Sequence, residues 1–345
     1  MDICLISNNN YINYVSSLIV SILKNSSIDD KFSFHIIESD ITDYNKKKII
    51  ELKNIKDFQI YFYKPEKYIN KAKELSTRKY NKYWHYTLFI KLFIPLILKD
   101  LDNVLFLDSD QIVLSRLSKF YEYDISDSYL LAVRLLEYNL SWINSNLENI
   151  MNSLGANKND YINGGILLFN IKYLYTNMTF EELENKIDYT INYFEKIGIG
   201  LTEELVFLSI FRNKISYINC NVVYGTDINN NSPKLIKAIE LLESNNKDEI
   251  NIIHFSAKNI KPLSNYTNID YYYNIFWEYF ILTPFFKENT MKYMNLFGNN
   301  ISKSDITKLK SNFTEIINHI IWWIPIKKIR VYIRSSIINK IYDIN

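Results

Sequence analysis

The feature that most constrains the fold of this chain is the alternation of short, continuous apolar runs with segments of helical periodicity. Apolar runs of strand length are typical of strands buried on both faces, and helices between them favour a mainly parallel sheet covered by helices. We therefore predict an α/β fold. The predicted strands are Ile3–Ile6, Phe32–Ile37, Phe58–Tyr63, Val104–Leu107, Leu130–Val133, Gly165–Phe169 and Ile252–Phe255, and the predicted helices are Val15–Leu23, Tyr44–Leu52, Leu88–Leu98 and Phe180–Ile197.

Composition narrows the class of protein. The 345 residues are 48% hydrophobic and 23% charged, as in ordinary globular proteins with a sizeable core. The formal net charge of +2 gives no general affinity for nucleic acid, so we expect no nucleic-acid partner. Cys4 and Cys220, the only cysteines, lie in apolar stretches, which predicts buried thiols in a reducing compartment. With neither a signal-peptide pattern nor a membrane-spanning stretch, we expect a cytoplasmic protein.

Two polar segments directly follow predicted strands. Ser7–Tyr11 comes after the first strand, and Asp108–Asp110 comes after Val104–Leu107. Ligands of open α/β sheets bind at the carboxyl ends of the strands. The sequence therefore predicts a ligand site formed by these two segments.

Asp108 and Asp110 have the spacing of a metal site. Carboxylates two residues apart, at the end of a buried strand, can project toward one hard divalent cation, and they repel each other unless a cation neutralises them. Such a cation could hold a nucleotide diphosphate and neutralise a leaving group. Asp-Ser-Asp is also common in surface turns, but apolar residues on both sides, including Ile112–Leu114, favour the metal site.

Asn163-Gly164-Gly165 precedes another apolar run. Paired glycines allow the backbone to approach a ligand closely or to adopt a positive φ. Asn163 could then present its amide to sugar hydroxyls. A simple tight turn into a strand accounts for the tripeptide equally well.

His254 ends a predicted strand and is followed by Lys258, Lys261 and Pro262. Imidazole and carboxylates together suit manganese, and lysines suit phosphate. A lone histidine beside apolar residues is more often a core residue, and the lysines could belong to a solvated loop. The three signals together favour a metal and phosphate site.

These segments, in this order, resemble glycosyltransferase family 8, the retaining enzymes that include bacterial lipopolysaccharide glucosyl- and galactosyltransferases and glycogenin. The resemblance covers roughly residues 1 to 265. It implies a GT-A fold, which is a Rossmann-like mixed sheet with flanking helices that binds a nucleotide sugar. The matching segments are Ser7–Tyr11, Phe89–Pro95, Leu107–Asp110, Asn163–Gly165 and His254–Pro262.

The resemblance also implies a UDP-sugar donor, a manganese cofactor with magnesium as the alternative, and residue roles. The implied metal ligands are Asp108, Asp110 and His254. The implied nucleotide-sugar-binding residues are Ser7, Asn8, Asn10, Tyr11, Lys91, Asp108, Ser109, Asp110, Asn163, Gly164, Gly165, Ala257 and Lys261. Within this set Asn8 and Asn10 match the positions that hold uracil and ribose, and Lys261 matches the phosphate-binding lysine. Asn163, Glu203 and Glu204 are the candidate catalytic residues.

The chain departs from the family pattern at several positions. Asn8 replaces an aspartate, an exchange that still allows pairing with uracil. Lys91 replaces an arginine, which removes bidentate hydrogen bonding but keeps the charge. Thr202-Glu203-Glu204 stands where the family has Asp-Gln-Asp. Leu135 stands where the family has an aspartate. Because the changes at Thr202–Glu204 and at Leu135 fall on the sugar side of the site, the identity of the donor sugar stays open.

The carboxyl-terminal segment differs in pattern. We predict a catalytic domain over residues 1–270 and a helical, aromatic and basic appendage over 271–345. Ile316–Tyr342 combines Trp322 and Trp323 with lysines and arginines, which is typical of a segment lying on an anionic membrane surface. A helix packed on the catalytic domain is the alternative. We accordingly expect a peripheral protein on the inner face of the plasma membrane.

The sequence thus predicts a manganese-dependent retaining hexosyltransferase. It would move glucose or galactose from UDP-glucose or UDP-galactose to a hydroxyl of a glycan or glycolipid, as in lipopolysaccharide biosynthesis. By analogy with the family, the leaving phosphate deprotonates the acceptor, and no strong protein base is needed. The alternatives are a non-catalytic nucleotide-sugar-binding or membrane-scaffold protein, a UDP-sugar hydrolase and a protein-modifying glycosyltransferase.

Overall fold

The computed structural model describes residues 1–81, 84–135, 145–153, 158–198, 200, 202–224, 249–256, 261–263, 271–286 and 310–314, with isolated residues at 236, 240, 318, 331, 334, 335 and 337. The strands are β1 Asp2–Ser7, β2 Ser33–Glu38, β3 Gln59–Tyr63, β4 Asn103–Leu107, β5 Gln111–Val113, β6 Leu130–Arg134, β7 Ile162–Asn170, β8 Ile215–Ile218, β9 Asn221–Tyr224 and β10 Asn251–His254. The α-helices are α1 Ile12–Lys24, α2 Asp43–Glu51, α3 Glu66–Thr77, α4 Tyr86–Ile90, α5 Ile94–Ile97, α6 Ser118–Glu122, α7 Ser145–Ser153, α8 Ile171–Asn177, α9 Phe180–Lys196, α10 Glu203–Ile210 and α11 Tyr271–Phe280. Short 3-10 turns lie at Leu52–Asn54, Lys91–Phe93 and Lys158–Asp160.

Seven strands form one mixed sheet in the order β3-β2-β1-β4-β7-β6-β8. The pairs β1–β2, β2–β3, β1–β4 and β6–β8 are parallel, whereas β7 is antiparallel to both of its neighbours. The predicted α/β class with a mixed sheet and flanking helices is confirmed. Because β7 runs opposite to β1 and β4, it begins at the edge of the sheet where those strands end.

The core follows from the alternation of side chains along each strand. On β1, Cys4 and Ile6 pack into a large apolar cluster that also contains residues of α3, α4, α9 and α10. The other face of β1 is covered by α1, which also packs against β5. The helix α9 is held at its start by a capping box between Thr179 and Glu182, and this arrangement satisfies two backbone amides that the helix itself leaves unpaired.

A second sheet of three strands, in the order β5-β10-β9, extends from the first. β5 follows β4 after only the three residues Asp108–Asp110 and runs antiparallel to β10, while β9 runs parallel to β10. Gln111, Tyr224 and His254 therefore lie together at one end of this small sheet.

Three local predictions differ from the structure. The predicted helix Leu88–Leu98 is divided into α4, a 3-10 turn and α5, and Pro95 lies in the first turn of α5, where a missing N–H is harmless. Gly164 and Gly165 lie inside β7 rather than before it. The prediction of burial is confirmed for Cys4 but wrong for Cys220, which is half-buried in the two-residue connection between β8 and β9.

The chain divides into two compact units, Met1–Lys261 and Pro262–Asn345. In the second unit, Trp277 of α11 contacts Phe276, Phe280 and Phe313. Most of Ile316–Tyr342 lies outside the described residues, so its interpretation as a membrane-binding segment stays a prediction, as does the domain boundary after residue 270. Within the described part of the chain, none of the helices combines the length and apolarity needed to cross a bilayer.

Candidate active site

The candidate site lies at the sheet edge where β1 and β4 end and β7 begins. The amide of Asp108, just beyond β4, donates to the carbonyl oxygen of Gly165 at 2.9 Å. The hydroxyl of Ser109 donates to the carbonyl oxygen of Ile6 in β1 at 2.6 Å. These two hydrogen bonds hold the Asp108–Asp110 segment against both neighbouring strands, so the positions of its carboxylates are fixed by the sheet.

Asp108, Asp110 and His254 come together as the sequence predicts. One potential ligand atom from each residue lies within 4.8 Å of the others. Nε2 of His254 is 3.4 Å from Oδ1 of Asp110 and 3.6 Å from Oδ2 of Asp108. Two carboxylates and one imidazole form a donor set that suits a divalent ion such as manganese. The residues present therefore fit the metal that the family implies.

Lys261 contacts the cluster of Asp108, Asp110 and His254 through Asp110. Its ammonium group hydrogen-bonds to Oδ2 of Asp110 and lies 5.0 Å from the ring centroid of Tyr11. Burial by itself raises the pKa of Asp110, but the hydrogen bond from His254 and the charges of His254 and Lys261 outweigh it, so the pKa lies below the ordinary aspartate value. Asp110 is thus held as a carboxylate, the form that binds a cation.

Lys91 forms the centre of a second charged cluster. Its ammonium group lies 2.9 Å from Oδ1 of Asp108 and 2.7 Å from Oε1 of Glu203, and it donates to the carbonyl oxygen of Gly164 at 3.3 Å. The Lys91 side chain is only 8% exposed. Burial alone lowers the pKa of Lys91, but the charges of Asp108, Glu203 and Glu204 outweigh it and raise the pKa above the ordinary lysine value. Lys91 therefore stays charged and links the metal ligand to α10.

Glu203 and Glu204 begin α10, whose first turn faces β7. Thr202 caps this helix by accepting a hydrogen bond from the Leu205 amide. Burial raises the pKa of Glu204 to about 8, the neighbouring Glu203 adds to the shift, and Lys91 opposes it. The site thus contains one carboxyl group, that of Glu204, that holds its proton near neutral pH, whereas Asp110 is held as a carboxylate.

The two glycines of β7 leave room for both charged clusters. A Cβ atom on Gly165 would lie 2.6 Å from Oδ2 of Asp108 and 2.9 Å from Cε1 of His254. A Cβ atom on Gly164 would lie 2.6 Å from Oε1 of Glu204. Neither glycine has a positive φ, since Gly198 alone among the described glycines does. The sequence allowed either close approach to the backbone or a positive φ at these glycines, and close approach is the one that applies. The groups that approach the glycines are the side chains of the site itself.

Asn163 is held in place by its neighbours. Its side-chain amide donates to the hydroxyl of Tyr224 at 2.7 Å, and its side-chain oxygen accepts from the Gly165 amide at 2.9 Å. Tyr224 and Gln111, whose amide donates to the Gly165 carbonyl at 2.9 Å, are parts of the site that the sequence did not indicate. Both lie at the end of a small-sheet strand, and only the order of strands in that sheet brings them here.

The segment after β1 forms a turn around Asn8. The side-chain oxygen of Asn8 accepts from the backbone amides of Asn10 and Tyr11 at 3.0 and 3.1 Å, and the hydroxyl of Ser7 donates to the Asn8 carbonyl at 3.0 Å. Asn10 and Tyr11 are exposed, beside Lys261. Ala257, the remaining predicted binding residue, lies outside the described residues.

Two buried polar atoms in this region have no hydrogen-bond partner among the described residues, namely Nδ1 of His254 and Oε1 of Gln111. Unsatisfied buried polar atoms are uncommon in proteins and are frequent where something binds.

A mixed α/β sheet whose edge carries a carboxylate–imidazole cluster beside two lysines is the arrangement of a nucleotide-sugar-dependent glycosyltransferase of the GT-A type.

The chain belongs to glycosyltransferase family 8, since "Glycosyl transferase family 8" matches residues 2–266. A Haemophilus influenzae protein described as "Putative glycosyltransferase" is 24% identical over 221 residues, which make up 64% of this chain and 62% of that protein. The chain thus matches less than two thirds of that relative's length.

Solved structures support the same fold. The chain is similar to the apo structure of the bifunctional glycosyltransferase WbbM, with a TM-score of 0.63, 19% identity, and coverage of 84% of this chain and 51% of WbbM. It is also similar to the galactosyltransferase LgtC in complex with donor and acceptor sugar analogues, with a TM-score of 0.62 and 17% identity. This match covers 82% of this chain and 96% of LgtC. For the glycosyltransferase GlyE of Streptococcus pneumoniae the TM-score is 0.52 and the identity 17%, with coverage of 85% of this chain and 64% of GlyE. The predicted family and GT-A fold are confirmed.

Proposed function

We propose that this chain is a retaining hexosyltransferase that requires manganese. It transfers glucose or galactose from a UDP-sugar to a hydroxyl of a glycan or glycolipid of the lipopolysaccharide type. Membership of family 8 supports sugar transfer, and the similarity to LgtC, which is a galactosyltransferase, supports a hexose as the transferred group.

The observation that carries the proposal is the cluster of Asp108, Asp110 and His254 at the sheet edge, with its ligand atoms within 4.8 Å of one another. A divalent ion held there would bind the donor diphosphate and offset the charge of the departing nucleotide. The cluster lies beside Tyr11 and Lys261, on the side that the family pattern assigns to the nucleotide.

The lysines have separate roles in this proposal. Without a donor, Lys261 contacts Asp110, and its side chain is 12% exposed. When a donor binds, Lys261 releases this carboxylate and contacts a donor phosphate instead. Lys91 is more deeply buried and holds Asp108 in place through its second contact with Glu203. Glu203, Glu204 and Asn163 border the sugar side, where they orient the donor sugar for attack from the acceptor.

We place the enzyme at the inner face of the plasma membrane, held there by its carboxyl-terminal segment. The support is the sequence pattern of Ile316–Tyr342, in which Trp322 and Trp323 are followed by apolar residues interspersed with lysines and arginines. Such segments bind anionic lipid surfaces with about 1 kcal/mol per basic residue. A glycolipid acceptor would be presented at the same surface.

The test is UDP release from a panel of UDP-sugars, with glycan and lipid-linked acceptors, in manganese, magnesium or EDTA. We expect manganese-dependent turnover of one donor by the wild type. Asp110→Ala removes a ligand of the metal that offsets the leaving charge, so turnover should fall by about 100- to 1,000-fold. Asp57→Ala is the matched control, because the Asp57 side chain is 92% exposed, and it should retain full activity.

Each contrary result has a distinct meaning. Turnover that EDTA leaves unchanged would show that the enzyme needs no metal. Activity only with protein acceptors would identify a protein-modifying glycosyltransferase. If no donor is turned over with any acceptor, the catalytic proposal is wrong and the chain is a nucleotide-sugar-binding protein.

A further inference from the structure

A separate cavity of about 910 Å³ lies within the first compact unit. This open cavity is lined by α6, by the ends of β6 and β8, by the start of β9 and by the two residues just before β10. The side chains that give it chemical character are Lys119, Glu122, Tyr123, Arg134, Tyr217 and Glu249.

The cavity lies at the opposite end of the small sheet from the metal-ligand cluster. Asn221, the first residue of β9, lines the cavity, whereas Tyr224, the last residue of β9, contacts Asn163 in the active site. Ile250, the residue just before β10, lines the cavity, whereas His254, the last residue of β10, belongs to the metal-ligand cluster. Because a strand rises about 3.3 Å per residue, the two sites are separated by roughly 10 Å.

Arg134 and Tyr217, which form part of the cavity wall, are held in place by contacts with each other and with Asp160. The guanidinium carbon of Arg134 lies 3.9 Å from the ring centroid of Tyr217. The Tyr217 hydroxyl donates to the backbone carbonyl of Asp160 at 3.2 Å, and a carboxylate oxygen of Asp160 is 3.9 Å from the Arg134 guanidinium. Tyr123 adds a second ring that is 41% exposed. Aromatic rings present negatively polarised faces, which the C–H groups of a sugar ring can contact.

The charges of the lining indicate a neutral ligand. Lys119 and Arg134 are balanced by Glu122 and Glu249, so the described lining has no excess of either sign. A nucleotide phosphate would favour an excess of cations, and a metal would favour converging carboxylates, as in the active site. Side chains that donate beside side chains that accept match hydroxyl groups, which do both.

We infer that this cavity is a saccharide-binding site, and that it holds the part of the acceptor glycan remote from the reacting hydroxyl. Saccharide binding at the cavity depends on the cavity alone. The identity of the bound glycan as the acceptor rests on the proposed function.

The first test measures binding without catalysis. Neutral oligosaccharides of two to four glucose or galactose units are titrated into the full chain carrying Asp110→Ala, in EDTA and without donor, by calorimetry or ligand-observed NMR. Adding Tyr123→Ala or Arg134→Ala should weaken binding about tenfold, equivalent to about 1.4 kcal/mol. The exposed Tyr44 and Arg212, outside the cavity, provide the matched controls Tyr44→Ala and Arg212→Ala, which should leave binding unchanged.

Binding that is unaffected by Tyr123→Ala and Arg134→Ala, or absence of millimolar binding by the whole panel, would overturn the saccharide site. This result is distinguishable from failure of the proposed function, because the titration needs neither donor nor metal. In an active enzyme the same two substitutions should raise the KM for the glycan acceptor about tenfold and leave the KM for the donor unchanged. Weaker binding with an unaltered acceptor KM would retain the saccharide site and reject its role for the acceptor.

Discussion

The candidate active site has two halves that are built differently. We place Asp108, Asp110 and His254 in a metal end, and Lys91, Glu203 and Glu204 in the half that borders the proposed sugar side, which is called the sugar side below. The metal end matches the family pattern at all three residues, whereas the sugar side carries a lysine for an arginine and glutamates in the segment that is usually Asp-Gln-Asp. Of these two halves, only the sugar side departs from the family pattern.

The sugar-side changes compensate one another. Lys91 and Glu203, which both depart from the pattern, form a direct ion pair at 2.7 Å, and the two side chains are 8% and 3% exposed. The ammonium group of Lys91 is thus paired with the carboxylate of Glu203, and neither charge is left without a partner. Because Lys91 also contacts Asp108, the compensated pair supports the metal end. These two departures consequently pair with each other inside the cluster of Lys91, Glu203 and Asp108.

The largest expected effect comes from breaking this pair. Lys91→Met would leave the carboxylates of Glu203 and Asp108 close together and without their cation. We expect the free energy of unfolding to fall by about 3–5 kcal/mol, as when one partner of a buried ion pair is removed. Urea unfolding monitored by circular dichroism measures this change.

Two further variants make the Lys91→Met experiment specific. Lys99→Met removes an exposed lysine that pairs with Asp100, and it should change stability by less than about 0.5 kcal/mol. Lys91→Met combined with Glu203→Gln should recover part of the loss, since the uncompensated anion is removed as well. Equal stability of Lys91→Met and Lys99→Met would show that the pair does not hold the two halves together.

The two glycines allow each half to be perturbed separately. Gly165→Ala places a methyl group 2.6 Å from Oδ2 of Asp108, so this metal ligand must move. We expect manganese affinity to fall about 10- to 100-fold, the range seen when groups supporting metal ligands are altered. Gly164→Ala instead places the methyl group against Glu203 and Glu204, and it should raise the KM for the donor sugar with manganese affinity unchanged.

Manganese binding by electron paramagnetic resonance gives a measurement that does not depend on turnover. The two alanine variants are each other's controls, because the residues are adjacent in one strand and the added group is the same. If both variants lose manganese affinity equally, the division of the site into a metal end and a sugar side is wrong.

Much of the metal end could be predicted from the sequence, because its signal is local. An apolar strand that leads directly into Asp108–Asp110 identifies the carboxyl end of β4, and His254 lies at the end of another apolar run. The pairing of β10 with β5, which follows β4 after three residues, then places these ends together. The same reasoning predicted most strands to within one or two residues of their observed bounds.

The sugar side could not be derived in this way, because its contacts join distant parts of the chain. Lys91 and Glu203 are 112 residues apart, and neither position has a local pattern that indicates a partner. Tyr224 was missed for a similar reason, since its contact with Asn163 depends on the pairing of β9 with β10. The glycines lie inside β7 because Ile162, before them, already pairs with Arg134 of β6, and apolar patterning does not show this pairing.

The last prediction concerns the protonation of Glu204. Burial, with help from Glu203, raises its pKa from 4.5 to about 8, and Lys91 opposes the shift. Between these two values the folded state holds a proton that the unfolded state releases, so the stability contributed by this group decreases as pH rises from about 4.5 to 8 and is constant above that. Glu204→Gln cannot ionise, and its stability relative to the wild type should therefore increase over the same interval and then level off.

Urea unfolding from pH 5 to 9 in EDTA measures this difference, and Glu66→Gln, at an exposed glutamate, should give a flat difference. Asp110 provides the contrast, because hydrogen bonding and charge from His254 and the charge of Lys261 outweigh its burial and keep its pKa below the ordinary value. A rising difference for Glu204→Gln would place a neutral carboxyl group, able to donate a hydrogen bond, on the sugar side while the metal end stays anionic. A difference that is flat for Glu204→Gln as well would mean that Glu204 is ionised like its neighbours, and that the two halves differ in geometry but not in protonation.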